Sequence, residues 1–275
     1  MGSGIAQVCA QAGHEVLLND RTAALIERGI KGIEKNLDRA VERGRMNQEE
    51  RGRALAHIDP RPHFTDLDVE IAIEAATENL ELKLDIFRKL NDSVAPETVL
   101  ASNTSSISIT KLAAVVDHPE RTIGMHFMNP VPVMKLVEVI RAVQTSDKTA
   151  KFVHDLATNL GKTPVESRDF PGFIANRILM PLINEAAFAL FEGVGSASDI
   201  DTVAKLGLNH PMGPLELADL IGLDTCLAIM EVLSSGLGNQ KYNPCPLLRQ
   251  YVDAGWYGKK TGRGFYRYES GQKVG

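Results

Sequence analysis

The sequence predicts an α/β protein whose first domain contains a doubly wound, mainly parallel sheet and whose second domain is all-helical. Strand-like and helix-like patterns alternate over the first two thirds of the 275 residues, and right-handed crossovers between such strands build a parallel sheet. After the Asp-Phe-Pro-Gly segment at 169–172, strand patterns stop and only helical spacing remains. We therefore predict two domains, residues 1–168 and 169–275.

The N-terminal elements are a helix, a strand and two more helices. Residues 4–12 carry apolar side chains at helical spacing, and a glycine ends this helix before a strand at 15–19. Thr22 can cap a long helix that runs to about Arg43. A shorter helix is predicted over 47–57.

The middle of the chain alternates buried strands with helices. Val69 to Ala75 is predicted as a buried strand, and the helix after it ends at Pro96, which cannot continue a helix. The remaining predicted elements are strands at 98–102, 121–126, 136–140 and 163–167, and helices at 80–94, 108–116 and 148–160.

Beyond the boundary, every predicted element is a helix. A Gly-rich, cationic loop at 258–266 follows the last of them. The predicted helices cover residues 173–192, 198–206, 214–234 and 245–254.

Bulk properties exclude several classes of protein. A net charge of −5 gives no reason to expect a nucleic acid or a membrane surface as partner. Three widely spaced cysteines argue against a disulfide framework or a metal site and suit a reducing cytosol. No stretch is long and apolar enough for a transmembrane helix, and no signal sequence is visible. These observations predict a cytoplasmic protein.

A candidate proton-transfer site follows the strand at 121–126. His126 leaves this strand, Asn129 supplies an amide three residues later, and the return strand at 136–140 carries Glu138. The return could bring the Glu138 carboxylate to the imidazole, where its charge would favour the imidazolium form. The spacing alone also fits a core histidine and a glutamate on an edge strand.

Asp20 is the first indication of a nucleotide. It follows the strand at 15–19, where an acidic residue of a dinucleotide-binding βαβ unit accepts hydrogen bonds from ribose hydroxyls and favours NAD. Arg21 beside it could instead accept a 2′-phosphate. An aspartate that caps the next helix fits the pattern equally well.

The Gly-rich loop that should precede the first helix is incomplete. Gly2 and Gly4 lie in Met-Gly-Ser-Gly, which supplies only the end of a GxGxxG pattern. In a doubly wound sheet the strand before this loop is central, and its turn presents N–H groups to the pyrophosphate. We therefore expect this strand, and the rest of the loop, to be encoded upstream of Met1.

Several sequence blocks in order resemble the L-3-hydroxyacyl-CoA dehydrogenase family, and within it the bacterial enzymes for short-chain substrates such as 3-hydroxybutyryl-CoA. The resemblance runs from Met1 to about Tyr268. The blocks are MGSGIAQ at 1–7, EAATENLELK at 74–83, SNTSSISIT at 102–110, GMHFMNPVPVMKLVEVI at 124–140, DFPGFIANRIL at 169–179, HPMGPLELADLIGLDT at 210–225 and GKKTGRGFY at 258–266.

The resemblance implies a reaction and its residues. The family oxidises the 3-hydroxyl of an acyl-CoA and passes a hydride to NAD. His126 would be the general base, held by Glu138. Ser105 matches the active-site serine and Asn176 the active-site asparagine, which implies a reaction between the two domains. Asn129 would position the substrate.

Ser106 is the adjacent alternative to Ser105, and either serine could simply be a turn or cap residue. Asn176 could likewise be an ordinary asparagine on a helix surface.

The resemblance also implies contacts with NAD and with CoA. For NAD it gives Gly2, Asp20, Glu78, Lys83 and Asn103. Glu78 and Lys83 could otherwise be a helix-start carboxylate and a solvated lysine.

For CoA it gives Asn36 and Arg43. Arg43 ends a basic stripe on one long helix, which could meet phosphates or be a salt-bridged, solvated face. The stripe consists of Lys31, Lys35, Arg39 and Arg43.

The second domain has more apolar helical surface than a core of its size requires, so we expect a homodimer. Two alternatives to the main function remain at this stage. One is a β-hydroxyacid or sugar-acid dehydrogenase. The other is an inactive CoA-binding fragment, because the pyrophosphate loop is incomplete.

Overall fold

The computed structural model describes residues 1–62 and 67–274. The chain divides into two compact units, Met1–Asp169 and Phe170–Gly275, one residue after the predicted boundary. The first unit is the α/β unit and the second is mostly helical, so the predicted fold class is confirmed.

The first unit alternates helices and strands close to the predicted order. Its helices are α1 (Gly2–Gln11), α2 (Ala23–Glu42), α3 (Gln48–Ala56), α4 (Leu80–Ser93), α5 (Ile109–Ala113) and α6 (Asp147–Asn159). Its strands are β1 (Val16–Leu18), β2 (Ile58–Pro60), β3 (Ile71–Glu74), β4 (Val99–Ser102), β5 (Thr122–Phe127), β6 (Leu136–Arg141) and β7 (Thr163–Arg168).

The main sheet has the order β3-β4-β5-β6-β7. Every neighbouring pair is parallel except β5 and β6, which form an antiparallel pair. The short connection between β5 and β6 requires this antiparallel pairing, since a parallel return needs a crossover of a dozen or more residues. The sheet is therefore mainly parallel, as predicted.

A separate two-stranded parallel sheet joins β1 to β2. β2 is not predicted from the sequence, because Ile-Asp-Pro is short, polar and contains a proline. Within the described ranges, β1 pairs only with β2, and β3 pairs only with β4. The expectation of a further strand encoded before Met1 stays a prediction.

Five of the six helices described above for the first unit, all except α1, start at a side-chain cap. At each cap the side-chain oxygen accepts the backbone N–H three residues later, which satisfies a donor that has no partner inside the helix. The capping residues are Thr22 for α2, Asn47 for α3, Asn79 for α4, Ser108 for α5 and Ser146 for α6.

The core of the first unit lies where α1 and α6 pack on the main sheet. Ile5 and Val8 of α1 share one apolar cluster with Met125, Val139 and Val153, and all five are buried. The alternation along β5 and β6 places this apolar set on one face of the sheet. Polar side chains such as His126 therefore lie on the opposite face of the same two strands.

The second unit packs five helices around one apolar cluster that includes Leu215, Cys226 and Met230. The helices are α7 (Ala175–Phe191), α8 (Ala197–Thr202), α9 (Pro214–Ile221), α10 (Leu223–Leu237) and α11 (Pro246–Asp253).

The predicted single helix at 214–234 is wrong. Gly222 separates α9 from α10 at φ +107°, a backbone conformation that strongly favours glycine, and the two axes bend by 99°. Among the described helices, none is by itself long and apolar enough to span a membrane; α9 and α10 reach that length only as this bent pair.

Two buried aspartates hold the tail of the second unit. Asp201 accepts N–H groups at the start of α9 and the Tyr266 hydroxyl. Asp219 accepts the N–H groups of Phe265 and Tyr266 and the Tyr268 hydroxyl. Burial raises the pKa of Asp219, although these donors oppose the shift. A Cβ on Gly264 would collide with the Asp219 carboxylate, which explains the glycine in this loop.

The tail continues into a hairpin of β8 (Arg267–Glu269) and β9 (Gln272–Val274), which the sequence analysis does not predict. The second unit is therefore helical with one small hairpin. The three cysteines are free and buried, and burial raises the pKa of Cys9 to about 11 and that of Cys226 to about 12.

Gly124 offers a test of the packing that sets β5 against β6. A Cβ there would lie 2.8 Å from the Ile140 Cβ, whereas a Cβ on Gly52 in α3 would meet nothing within 4 Å. Gly124→Ala should therefore lower the free energy of unfolding by about 1–3 kcal/mol. Gly52→Ala should raise it by about 0.5–1 kcal/mol. Urea unfolding measures both, and equal effects would contradict this account of the β5–β6 contact.

Candidate active site

Most of the predicted site residues of the first unit follow the carboxyl ends of neighbouring strands. Glu78 follows β3, Asn103 and Ser105 follow β4, and His126 lies near the end of β5. Parallel strands deliver their carboxyl ends to one edge of the sheet, where open α/β sheets bind ligands. The topology therefore gathers side chains that are far apart in sequence.

His126 and Glu138 are directly opposite each other in the antiparallel β5–β6 pair. Opposed residues share a face of the sheet, so the carboxylate meets the imidazole: Glu138 Oε2 lies 2.8 Å from His126 Nδ1. Both residues are buried, with exposed fractions of 5% and 1%. An Nδ1–H that donates to Glu138 leaves Nε2 as the acceptor of the neutral ring.

Ser105 occupies the other side of the imidazole. Its Oγ lies 3.0 Å from His126 Nε2. Ser106 Oγ instead donates to Glu78 Oε1 at 3.2 Å. Of the two adjacent serines, Ser105 is thus the one that contacts the imidazole. The three side chains Ser105, His126 and Glu138 form one hydrogen-bonded row.

Lys83 and Glu74 form a buried ion pair in the same unit. Lys83 Nζ lies 2.7 and 2.9 Å from the two Glu74 oxygens and 3.2 Å from the Ala76 carbonyl. The Glu74 carboxylate also accepts the Ser102 hydroxyl at 2.6 Å. Lys83 is 1% exposed and has accepting oxygens on Glu74 and Ala76, so it is an internal cation here. Its predicted contact with the cofactor stays a prediction.

Sequence reasoning missed Glu74 and Ser102. Each ends a short apolar strand, and the two are opposite each other in the parallel β3–β4 pair. A carboxylate at the end of a buried strand needs a cation or several donors. That requirement is the signal by which the sequence could have shown Glu74.

Asn103 ties β4 to β5. Its Oδ1 accepts the Phe127 N–H at 2.9 Å, and the residue is buried. The bond holds the backbone next to His126 at the point where the β5 ladder ends. Asn129 lies three residues beyond His126, in an exposed position.

Two features of the first unit, the start of α1 and Asp20, fit a dinucleotide. The first turn of α1 has no side-chain cap, and a Cβ on Gly2 would lie 3.7 Å from the Ala75 Cβ, so this helix start lies beside the end of β3. Asp20 is exposed, and its Oδ1 accepts the Arg21 N–H at 2.7 Å. A helix N-terminus suits phosphate and a carboxylate suits ribose hydroxyls, so the residues present fit NAD.

The predicted CoA residues lie on α2. Asn36 is exposed and donates to Gln7 Oε1 at 3.2 Å. Arg43 follows the last residue of α2, seven positions after Asn36 and therefore on the same face. Lys31 of the basic stripe pairs with Glu27 at 2.7 Å.

Asn176 belongs to the second unit, where it lies in the first turn of α7 and is 9% exposed. Gly172 and Phe173 both have positive φ in the approach to this turn. A Cβ on Gly172 would lie 2.6 Å from Leu233 Cδ2, so the turn packs closely on α10. The predicted reaction between the domains, with Asn176 as a contributor, stays a prediction.

Both units match one protein family. Residues 1–170 match the NAD binding domain of 3-hydroxyacyl-CoA dehydrogenase, and residues 172–268 match its C-terminal domain. Among curated proteins, the chain is 55% identical to a probable 3-hydroxybutyryl-CoA dehydrogenase of Bacillus subtilis over 98% of this chain and 94% of that protein. It is 52% identical to the 3-hydroxybutyryl-CoA dehydrogenase of Bradyrhizobium diazoefficiens over 100% of this chain and 94% of that protein.

A solved structure gives the same result. The crystal structure of (S)-3-hydroxybutyryl-CoA dehydrogenase PaaH1 from Ralstonia eutropha superposes with a TM-score of 0.96 at 49% identity. The match covers 98% of this chain and 96% of that one.

The buried ion pair makes a stability prediction. Lys83→Met should lower the free energy of unfolding by about 3–5 kcal/mol, because it leaves a buried carboxylate without its cation. Adding Glu74→Gln should recover part of the loss, because a neutral amide oxygen can still accept from Ser102. Lys89→Met is the matched control, since Lys89 is exposed on the same helix. Urea unfolding that gives Lys83→Met and Lys89→Met the same small effect would refute the ion pair's role.

Proposed function

The chain belongs to the 3-hydroxyacyl-CoA dehydrogenase family, and from this premise we propose that it is an NAD-dependent 3-hydroxybutyryl-CoA dehydrogenase. It interconverts a short-chain (S)-3-hydroxyacyl-CoA and the 3-ketoacyl-CoA. The observation that carries the proposal is the hydrogen-bonded row of Ser105, His126 and Glu138, in which the imidazole and the carboxylate are buried. This row provides a general base whose two ring nitrogens have separate partners.

His126 takes the proton of the substrate's C3 hydroxyl at Nε2. Glu138 at Nδ1 fixes the ring orientation and stabilises the imidazolium that forms, because opposite charges attract strongly in a buried site. General base assistance of this kind contributes about 100- to 10,000-fold in rate. NAD, when bound, supplies the carbon that accepts the hydride from C3.

Ser105 holds the substrate oxygen near the base. Its hydroxyl already lies within hydrogen-bonding distance of Nε2, so it can donate to the oxygen that loses the proton. Asn176 offers a second donor from α7, and Asn129 a positioning contact after β5. These two assignments rest on the family resemblance.

The cofactor contacts are proposed from position and charge. Asp20 receives the adenosine ribose, Gly2 lies at the helix end that faces the pyrophosphate, and Asn103 lies at the end of β4. An aspartate at that place disfavours a 2′-phosphate, so we propose NAD over NADP. Asn36 and Arg43 contact CoA, since a guanidinium on an exposed helix face suits its phosphates.

The runner-up functions have less support. The β-hydroxyacid dehydrogenases use a lysine for proton transfer, whereas the buried Lys83 of this unit is paired with Glu74. The curated relatives favour a 3-hydroxybutyryl-CoA substrate over a sugar acid. Retained NADH binding by the 275-residue chain would exclude the inactive fragment.

His126→Ala tests the catalytic assignment. With acetoacetyl-CoA and NADH, the reaction runs as a reduction, and turnover should fall about 100- to 10,000-fold because the imidazolium that gives its proton to the C3 oxygen is lost, without a matching change in NADH affinity. The matched control is His154→Ala, whose imidazole is exposed on α6 and should leave turnover unchanged. Unbound acetoacetate should be a poor substrate. Activity that survives in His126→Ala, or equal activity on acetoacetate, would overturn the proposal.

We also propose a cytoplasmic homodimer that buries the outer face of α7. Ile178 and Leu182 are one turn apart on this helix and are 67% and 37% exposed. Exposed apolar side chains in a row indicate an association surface. Analytical ultracentrifugation should show a dimer that Ile178→Asp weakens. A monomer at micromolar concentration would contradict this.

A further inference from the structure

The Glu78 carboxylate collects the polar groups of the turn that carries Ser105. Its Oε1 accepts the Ser105 N–H at 2.6 Å and the Ser106 N–H at 3.1 Å. The same oxygen accepts the Thr104 hydroxyl at 2.6 Å and the Ser106 hydroxyl at 3.2 Å. One side chain after β3 thus anchors a turn after β4.

The turn needs such an anchor. Residues 103–108 belong to neither strand nor helix, so no backbone ladder fixes them. The Thr104 hydroxyl, which donates to Glu78, also accepts the Ile107 N–H at 2.9 Å. The hydrogen bonds that shape this segment therefore end on the Glu78 oxygen, either directly or through the Thr104 hydroxyl.

Lys83 orients the anchor. Its Nζ lies 3.4 Å from Glu78 Oε2 and is itself held by both oxygens of Glu74. A cation on one side and two amides on the other give the Glu78 carboxylate a defined direction, with Oε2 toward the ammonium and Oε1 toward the turn. Two carboxylates share one buried ammonium, and only Glu78 reaches the surface, with a side chain 39% exposed.

We propose that Glu78 is a positioning residue, which holds the turn at 104–106 and thereby keeps the Ser105 hydroxyl against His126. Its effect on catalysis passes through Ser105, 3.0 Å from the imidazole. This role is distinct from the contact with NAD that the family resemblance assigns to Glu78. It rests on the proposed function in one respect, because the rate that it changes is the rate of the proposed reaction.

Substitutions at Glu78 distinguish the contribution of its accepting oxygen from that of its negative charge. Glu78→Gln keeps a carbonyl oxygen that can accept the Ser105 and Ser106 amides. Glu78→Asp keeps the negative charge, but the side chain is shorter by one methylene, so the carboxylate lies farther from the turn. Glu78→Ala removes both. Glu81→Ala is the matched control: it removes an exposed carboxylate three residues later, in the first turn of α4.

A double-mutant cycle with Ser105 tests the proposal kinetically. Glu78→Ala should lower kcat about tenfold, the effect of one lost positioning hydrogen bond, with KM for NADH unchanged. In a Ser105→Ala background it should have no further effect, because residues that act through one another are not additive. Glu78→Gln should retain most of kcat, whereas Glu78→Asp should lose most of kcat although the protein stays folded. Glu81→Ala should have the same kcat as the unsubstituted chain.

Two kinetic results would overturn the proposal. A raised KM for NADH with kcat preserved in Glu78→Ala would show a cofactor contact instead. Losses from Glu78→Ala and Ser105→Ala that multiply would show independent action.

Hydrogen exchange tests the geometry without any turnover. The Ser105 and Ser106 amides should exchange faster in Glu78→Ala than in Glu81→Ala, because only the first variant removes their acceptor. Unchanged exchange would overturn the proposal. If the unsubstituted chain failed to reduce acetoacetyl-CoA, the proposed function would fall, while this measurement would still decide whether Glu78 holds the turn.

Discussion

The register of the antiparallel β5–β6 pair is the constraint on which the site depends. It sets His126 opposite Glu138, and a slip of one residue would turn the two side chains to opposite faces of the sheet. Two residues earlier the same ladder sets Gly124 opposite Ile140, at a distance that leaves no room for a Cβ. The close approach at that pair and the apolar alternation of both strands specify this register. The base is thus oriented by sheet pairing, before any ligand is considered.

The buried charged side chains near the β5–β6 pair each lie beside a polar or charged partner. Glu138 faces an imidazole, and the ammonium of Lys83 lies between Glu74 and Glu78. A buried charge without a partner is costly, so each group constrains the position of the next. Proton transfer to His126 would turn a carboxylate beside a neutral ring into an ion pair. The buried carboxylate therefore stabilises the state that the proposed reaction forms.

The sequence predicted those features that depend on local pattern. Strand and helix periodicity gave the alternation of the first unit, and the two short strands around a proline-rich turn suggested that Glu138 returns to His126. Features that the local apolar pattern does not mark were missed. β2 contains a proline and exists because β1 offers it a parallel partner. The bend at Gly222 comes from a positive φ inside an apolar run that otherwise fits one helix. Glu74 was overlooked because its partner is nine residues away on a helix.

The two glutamates that bear on His126 act at different ranges. Glu138 touches the ring directly from a neighbouring strand, whereas Glu78 reaches it only through the backbone of a turn. The turn after β4 brings the Ser105 hydroxyl to within 3.0 Å of Nε2, whereas Glu138 contacts the ring at Nδ1. Sheet pairing thus fixes the orientation of the base at Nδ1, and an anchored turn places a hydroxyl at Nε2, the nitrogen that takes the proton in the proposed reaction.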